Sequence, residues 1–483
     1  MELTAPAIDP GATAWVLAST ALVLLMLPGI AVFYGGMVRA KHVLGMLMQN
    51  FTALALVAVL WVLVGFSLSF GGSNPYVGSF AHAGLENLDR AALHLPDLQI
   101  PPMALAGFQM MFAVVTVALI TGATADRWRF GSYVSFVVIW TILVYAPVAR
   151  WVFSPQGWAA QLGALDFAGG TVVHTNAGAA AVAMALVLGR RRGWPDVSMR
   201  PHNVPLVLLG AGLLWFGWLG FNGGSALRAD ALASVAVVNT VAAAAAAVLT
   251  WMATERVRYG KATTLGAASG AIAGLVAVTP AAGFVSPLGS LVIGAAAGGI
   301  CALLVGFKTW IGLDDSLDVA AVHLGGGAVG SLCVGLFASK AINPAGADGL
   351  FYGGGYAQLG RQALVVAVVA VYSFVATYAI GAFLDRLIGN RVSPRSESIG
   401  VDLTQHGEAA YQLDPADPLH VARSEAPLVP RPAAATRPES ASHHAAPLPR
   451  PGSPYPARPE AAPPNSRLYG TPTRHRDGGE GSR

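Results

Sequence analysis

Eleven times along this 483-residue chain the sequence runs through about twenty mainly apolar residues with scarcely a charge. A run of that length is what a helix needs to cross about 30 Å of hydrocarbon. The runs fall at about 12–38, 43–70, 103–125, 130–150, 168–189, 203–224, 231–253, 263–283, 287–308, 318–340 and 361–388. In lipid every backbone polar group must find its partner inside the protein, so repeated segments of this kind fold as helices. The expected fold class is an all-α polytopic membrane protein. Composition agrees: 54% of residues are hydrophobic and 11% charged, against roughly 25% charged in an ordinary soluble domain. The net charge of +4 is small and much of it lies near the C-terminus, which gives no argument for a nucleic-acid partner. The first run, from about Thr13 to Val38, is too long for a signal-peptide core and has no basic segment before it, so it reads as a retained helix. Cys301 and Cys333 both fall inside spans and read as buried thiols, with neither disulfide nor metal spacing.

Lys and Arg sort to one side of the spans. Counted on alternate sides through residue 395, fifteen lie on one side (Arg39, Lys41, Arg127, Arg129, Arg190, Arg191, Arg192, Arg200, Arg256, Arg258, Lys261, Lys308, Arg386, Arg391 and Arg395) and five on the other (Arg90, Arg150, Arg228, Lys340 and Arg361). Cytoplasmic loops collect such residues. The N-terminus is therefore expected outside and the C-terminus in the cytoplasm, with the chain in the inner membrane of a bacterium. From Gln412 to Arg483 the chain holds 15 of its 31 prolines, a composition that cannot bury enough apolar surface to fold. The expected division is a bundle over residues 1–390, a cytoplasmic regulatory segment over 391–411 and a disordered proline-rich tail over 412–483.

Two echoes suggest an internal repeat. Phe33-Tyr34-Gly35-Gly36 closes the first span and Phe221-Asn222-Gly223-Gly224 the sixth. Asp166 precedes His174 in the fifth span, and Asp318 precedes His323 in the tenth. Five helices separate the echoes, so the halves must be inverted in the membrane, a plan that puts a transport site at the repeat interface.

Of the eleven histidines, only His174 and His323 fall inside spans, where a titratable group is costly and marks a pathway by default. One helix runs inward and the other outward, with each ring some residues in from its own starting face. At about 1.5 Å rise per residue the two rings can meet near the midplane. Paired neutral imidazoles offer a donor and an acceptor to a small hydrogen-bonding solute that can shed and regain a proton. The alternative is a hydrogen bond that merely ties two helices together. No carboxylate lies beside them at mid-span and there is no nucleotide-binding loop. A membrane enzyme is not expected, because no oriented nucleophile, metal-ligand set or cofactor motif surrounds the pair. No cofactor is expected either.

Aromatic residues gather toward the outer leaflet. Phe108 and Phe112, spaced to share a helix face, open the third span; Phe153 follows the fourth, and Phe221 and Ser225 end the sixth. Ring faces there could hold a small cation, with Ser225 accepting a hydrogen bond. Ordinary core or lipid-facing packing is the other reading of each ring. Asp166, at the start of the fifth helix, can cap its free N–H groups.

In these residues the chain resembles the ammonium transporters of the Amt/Mep/Rh class, and the bacterial Amt branch in particular, over nearly its whole length to Tyr411. The segments that carry the likeness are Pro28 to Gly36, Asp166 to His174, Gly217 to Ser225, Ser269 to Val276, Asp318 to His323 and Gly400 to Glu408. The resemblance implies an eleven-helix homotrimer in the lipid bilayer, one pore per subunit, carrying ammonium or ammonia. It implies a recruitment site at Phe108, Phe153 and Ser225, a gate at Phe112 and Phe221, and a pore pair at His174 and His323. Asp166 would order the outer site without touching substrate, and Trp218 and Asn222 would be structural residues of the same motif. A trimeric PII signalling protein docking on Asp402 to Glu408 and the cytoplasmic loops is a further implication. Two positions depart from the family: Phe153 stands where a Trp is usual and Arg150 where a His is common. Phe is the weaker cation partner, and an Arg repels a cation unless it is paired or turned away. The alternatives to transport are an ammonium sensor signalling through its tail and a gas channel of the Rh kind.

Overall fold

The computed structural model describes residues 7–411. Among these, ten helices are long and apolar enough to cross a membrane. Six are continuous: α1 (Pro10–Met37), α3 (Pro102–Thr124), α6 (Val204–Gly224), α7 (Ala231–Tyr259), α9 (Pro287–Ile311) and α11 (Ala357–Ile388). The other four contain a π-turn. α2 passes from Val43–Leu60 through Trp61–Gly65 to Phe66–Phe70, and α4 from Phe130–Trp140 through Thr141–Tyr145 to Ala146–Phe153. α5 (Gly170–Leu188) and α10 (Ala320–Phe337) open directly on π-turns, Gly170–Thr175 and Ala320–Gly325. A π-turn inserts an extra residue into the helical ladder and is common at functional positions. Here both spans that carry an intramembrane histidine begin with one.

The eighth expected span is shorter than the rest. α8 covers Thr264–Val278, 15 residues and about 22 Å, and the chain then turns through Thr279 to Gly283. Pro280 brings no N–H to extend the ladder. The turn is filled from the other half of the protein: Phe167 N–H donates to the Pro280 carbonyl at 3.1 Å, and an added Cβ at Gly283 would lie 2.1 Å from the Phe167 ring. Irregular backbone at membrane depth is tolerated where protein covers it, and all five turn residues are buried.

Several helix starts are capped by short polar side chains. Asn203 Oδ1 accepts from Leu206 N at 2.9 Å, Thr263 Oγ1 from Gly266 N at 2.8 Å and Asp230 Oδ1 from Ala233 N at 3.1 Å. α1 and α6 pack antiparallel through glycines: Gly36 lies on Val207, Gly210 on the backbone of Phe33, Gly217 on Met26 and Gly224 on Ser19. The two helices whose ends carry the Gly-Gly echo are thus direct partners. The arginine-rich face is bound by ion pairs. Arg39 meets Asp126 at 3.0 Å, and Arg191 meets Asp126 at 3.5 Å and Asp314 at 2.8 Å. Burial alone would raise the Asp126 carboxyl, but His42, Arg191 and Arg39 hold it below the ordinary range.

Residues 391–411 run along that same face. Asp402 accepts from Leu44 N at 3.0 Å and Gly45 N at 2.8 Å at the start of α2. Glu397 bonds Arg391 and the Arg192 backbone, Gln405 bonds Phe130 N and the Trp128 carbonyl, and His202 meets Tyr411 at 2.8 Å. The expected proline-rich tail, 412–483, lies outside the described residues.

Candidate functional site

α5 and α10 start from opposite faces by the same device. The carboxylate of Asp166 accepts Gly169 N at 2.9 Å and Gly170 N at 2.7 Å on one oxygen, Thr171 N at 2.8 Å and Val172 N at 3.2 Å on the other. Burial pushes this carboxyl above its ordinary range, and the four amides pull it back. At α10 the matching residue is Asp315, which accepts Ala320 N at 2.7 Å, and not Asp318. Asp315 precedes His323 by eight residues, as Asp166 precedes His174. Three residues after each acid the chain takes a left-handed turn, at Gly169 (φ 104°) and at Asp318 (φ 62°). Asp318 instead pairs with Lys308. The sequence echo therefore reads correctly at the histidines and is displaced by three residues at the acid.

The two histidines meet. Their Nδ1 atoms are 3.2 Å apart, and the rings lie 5.3 Å apart at 24°. A hydrogen bond between two Nδ1 atoms requires that one carry the hydrogen and the other be bare. The ring that donates then presents a bare Nε2, and the ring that accepts presents an Nε2–H. His174 Nε2 is buried and has no protein partner. What brings the rings together is absence of side chain four residues later. An added Cβ at Gly178 would lie 2.3 Å from Leu324 N, and one at Gly327 would lie 2.9 Å from Thr175 Oγ1.

From the histidines a succession of rings leads to the arginine-poor face. Trp218 stacks on His174 at 5.3 Å, and Phe221 lies 6.0 Å from it. Phe221 and Phe112 are stacked at 4.2 Å and 24°, too close for a molecule to pass between them. Phe108 and Phe153 meet Phe112 edge-on at 4.9 Å and 5.9 Å. Phe153 also covers Gly169. Ser225 is half-buried and its hydroxyl donates to the Phe221 carbonyl at 2.8 Å, which leaves its lone pairs free to accept. Trp218 Nε1 donates to Thr279 Oγ1 at 2.9 Å, and Asn222 Nδ2 to Thr240 Oγ1 at 2.9 Å. Phe108, Phe112, Phe153, Phe221, Trp218, His174 and His323 thus lie in one column, to which Ser225 is tied by its bond to the Phe221 carbonyl and Asp166 by its bond to Gly169, while Asn222 braces the helix.

On the other side of His323 lies a narrow cavity walled by Met26, Ile30, Phe33, Tyr34, Val115, Leu119, Leu214, Trp218 and Ile272. Tyr34 closes off its polar atom by donating to the Leu119 carbonyl at 3.1 Å. Sequence reasoning missed Asp315, Gly178, Gly327 and this wall. An acid at −8 and a glycine at +4 from each histidine were the available signals. Among the described residues no cluster of His, Cys, Asp and Glu could hold a metal ion.

Residues 14–411 match the sequence pattern of the family described as Ammonium Transporter Family. The chain belongs to the ammonium transporter family. An ammonium transporter of Mycobacterium tuberculosis is 51% identical over 433 residues, covering 84% of this chain and 91% of the relative. Among solved structures, Candida albicans Mep2 has a TM-score of 0.76 at 37% identity, covering 84% of this chain and 91% of that one. A structure described as a sensor Amt protein has a TM-score of 0.75 at 29% identity over 82% of this chain and 98% of that one. Like its transporter relatives, the chain is an integral membrane protein, with the rings of Phe108, Phe112, Phe221, Trp218, His174 and His323 buried inside its helices.

Proposed function

We propose that the chain carries ammonium across the cytoplasmic membrane, taking up the cation at its outer mouth and passing neutral ammonia through the paired histidines. The arginine-poor face is the outer one in this reading, and Phe108, Phe153 and Ser225 receive the cation. Ring faces attract it by about 0.5 to 2 kcal/mol each, and Ser225 accepts one N–H. Phe112 and Phe221 form a gate that excludes hydrated ions, since an ion cannot leave its water for a dry aromatic seam without a large cost. Ammonia, uncharged, moves past a ring pair that offers it one donor and one acceptor. The observation that carries this reading is the unbroken run of contacts from Phe108 through Phe112 and Phe221 to His174 and His323.

The regulatory segment 391–411 belongs to the same proposal. Its bonds to the start of α2 at residues 44–45, to residues 128–130 at the start of α4 and to residue 192 support a surface on which a PII protein docks. A homotrimer with a separate pore in each subunit completes it. Uptake of labelled methylammonium by cells lacking other carriers tests the central claim. Saturable uptake that disappears in His174→Ala and His323→Ala, at unchanged membrane abundance, is the expected result; uptake and exclusion of potassium unaltered in both variants would sink it.

A further inference from the structure

Arg150 holds a positive charge at the arginine-poor end of α4 with no anion to balance it. The side chain is fully buried. Nε donates to the Asn74 carbonyl at 2.9 Å, Nη2 to the Gly72 carbonyl at 2.7 Å and Nη1 to the Ser154 hydroxyl at 3.0 Å. All three acceptors are neutral. Among the described residues no carboxylate lies within ion-pair distance of it. Buried charges are ordinarily paired, as Arg191 is with Asp314 at 2.8 Å. The hydrogen bonds are satisfied by the loop, but the charge is not neutralised.

Its position matters because Ser154, bonded to Nη1, directly follows Phe153. Arg150 and Phe153 stand three residues apart in the last turn of α4, so their side chains leave neighbouring positions on the helix surface. Repulsion between like charges falls only inversely with distance and is poorly screened where water is excluded. A positive neighbour also favours the neutral form of a titrating amine.

We propose that Arg150 is a positioning residue whose unbalanced charge weakens retention of the ammonium cation at Phe153 and Ser225 and promotes release of its proton. In that step one N–H bond breaks, the electron pair stays on nitrogen, and the proton passes to water at the mouth. The transporter gives up affinity and gains ready delivery of ammonia to the gate. This rests on Phe153 and Ser225 being the receiving site.

Two variants remove the net charge by different routes. Ser154→Asp keeps the bonds from Arg150 to Asn74 and Gly72 and sets a carboxylate against Nη1; Arg150→Gln removes the guanidinium. Both should lower the KM for methylammonium, by about three- to tenfold, at equal membrane abundance. A merely structural arginine that pins the loop at 72–74 predicts the opposite pattern, with Ser154→Asp unchanged and Arg150→Gln raising KM or cutting the maximal rate. An unchanged or raised KM in Ser154→Asp overturns the inference, whatever Arg150→Gln does. Ser225→Ala measured alongside separates the two levels: a raised KM there with Ser154→Asp unchanged sinks only the role of Arg150, whereas an unchanged KM in Ser225→Ala sinks the receiving site itself.

Discussion

Gly178 abuts the backbone of Leu324 so closely that a Cβ on it would lie 2.3 Å from the Leu324 nitrogen. Leu324 is the neighbour of His323, and Gly178 stands one turn beyond His174. The helix crossing that sets the histidine pair is therefore held by a missing methyl group. Because the atom in the way belongs to backbone, a side chain there must push α5 and α10 apart. Gly178→Ala should lengthen the Nδ1 contact and reduce methylammonium uptake by about an order of magnitude, while moving stability by roughly 1–3 kcal/mol. Uptake at the wild-type rate would show that the pair tolerates separation.

The gate makes a claim about leakage. Phe112 and Phe221 close the path by stacking at 4.2 Å, so removing one ring should admit water and small hydrated cations. Phe221→Ala in proteoliposomes is expected to raise osmotic water flux and to let methylammonium permeate with weaker saturation. Water permeability equal to that of the unaltered protein would place the barrier elsewhere.

Asp166 predicts a loss of stability before any loss of chemistry. Its carboxylate takes four backbone N–H groups at the start of α5, and each buried donor left unsatisfied costs about 1–3 kcal/mol. Asp166→Ala should lower the melting temperature in detergent sharply and deplete folded protein. Asp166→Asn, which keeps one acceptor oxygen, should fall between. A melting temperature unaffected by either change would mean that water replaces the carboxylate there.

Asp315 gives a pH dependence with a definite sign. Burial raises its carboxyl, Lys308 opposes that and Asp318 adds to it, leaving the group at about 6. The folded state thus binds this proton more tightly than the unfolded chain does. Its contribution favours folding at low pH and is lost as pH rises between about 4 and 6, on the order of 3 kcal/mol in all. Asp315→Asn should flatten that part of the stability profile. Parallel profiles for the two proteins in chemical denaturation from pH 4 to 7 would contradict it.

The tail separates transport from sensing. Deleting residues 412–483 should leave methylammonium uptake within about twofold of the full chain, because every ring contact of the column lies before residue 324. Removing 390–411 as well should abolish capture of a PII protein, since Asp402, Gln405 and Glu397 bind the segment to the start of α2 and to residues 128 and 192. Equal capture without those residues would exclude them from the docking surface.

Much of this was legible in the chain because a membrane leaves so few options. A run of apolar residues must become a helix there, and a histidine inside one must have a reason, so the bundle, His174 and His323 followed from local chemistry. The likeness to a family then supplied roles for Phe108, Phe112, Phe153, Phe221 and Ser225. Helix length was less readable: the apolar run continues past Val278, but the helix stops there because Phe167 and Gly170 pack on the turn at Pro280. The acid of the second half was misplaced because Asp315 and Asp318 are both near a helix start, and only the folded backbone decides which one faces the free amides.

Sequence by itself determined which residues are paired with lipid or with each other in kind: apolar spans, two rare imidazoles, a basic and a basic-poor face. Tertiary structure alone decided distance and direction. Whether Arg150 meets a carboxylate or only neutral oxygens, whether two Nδ1 atoms 149 positions apart come within 3.2 Å, and which glycines let helices touch are set by contacts between residues distant in the chain. Chain order carries no record of such contacts, since they arise from close packing of whole helices, and packing is a property of the assembled bundle.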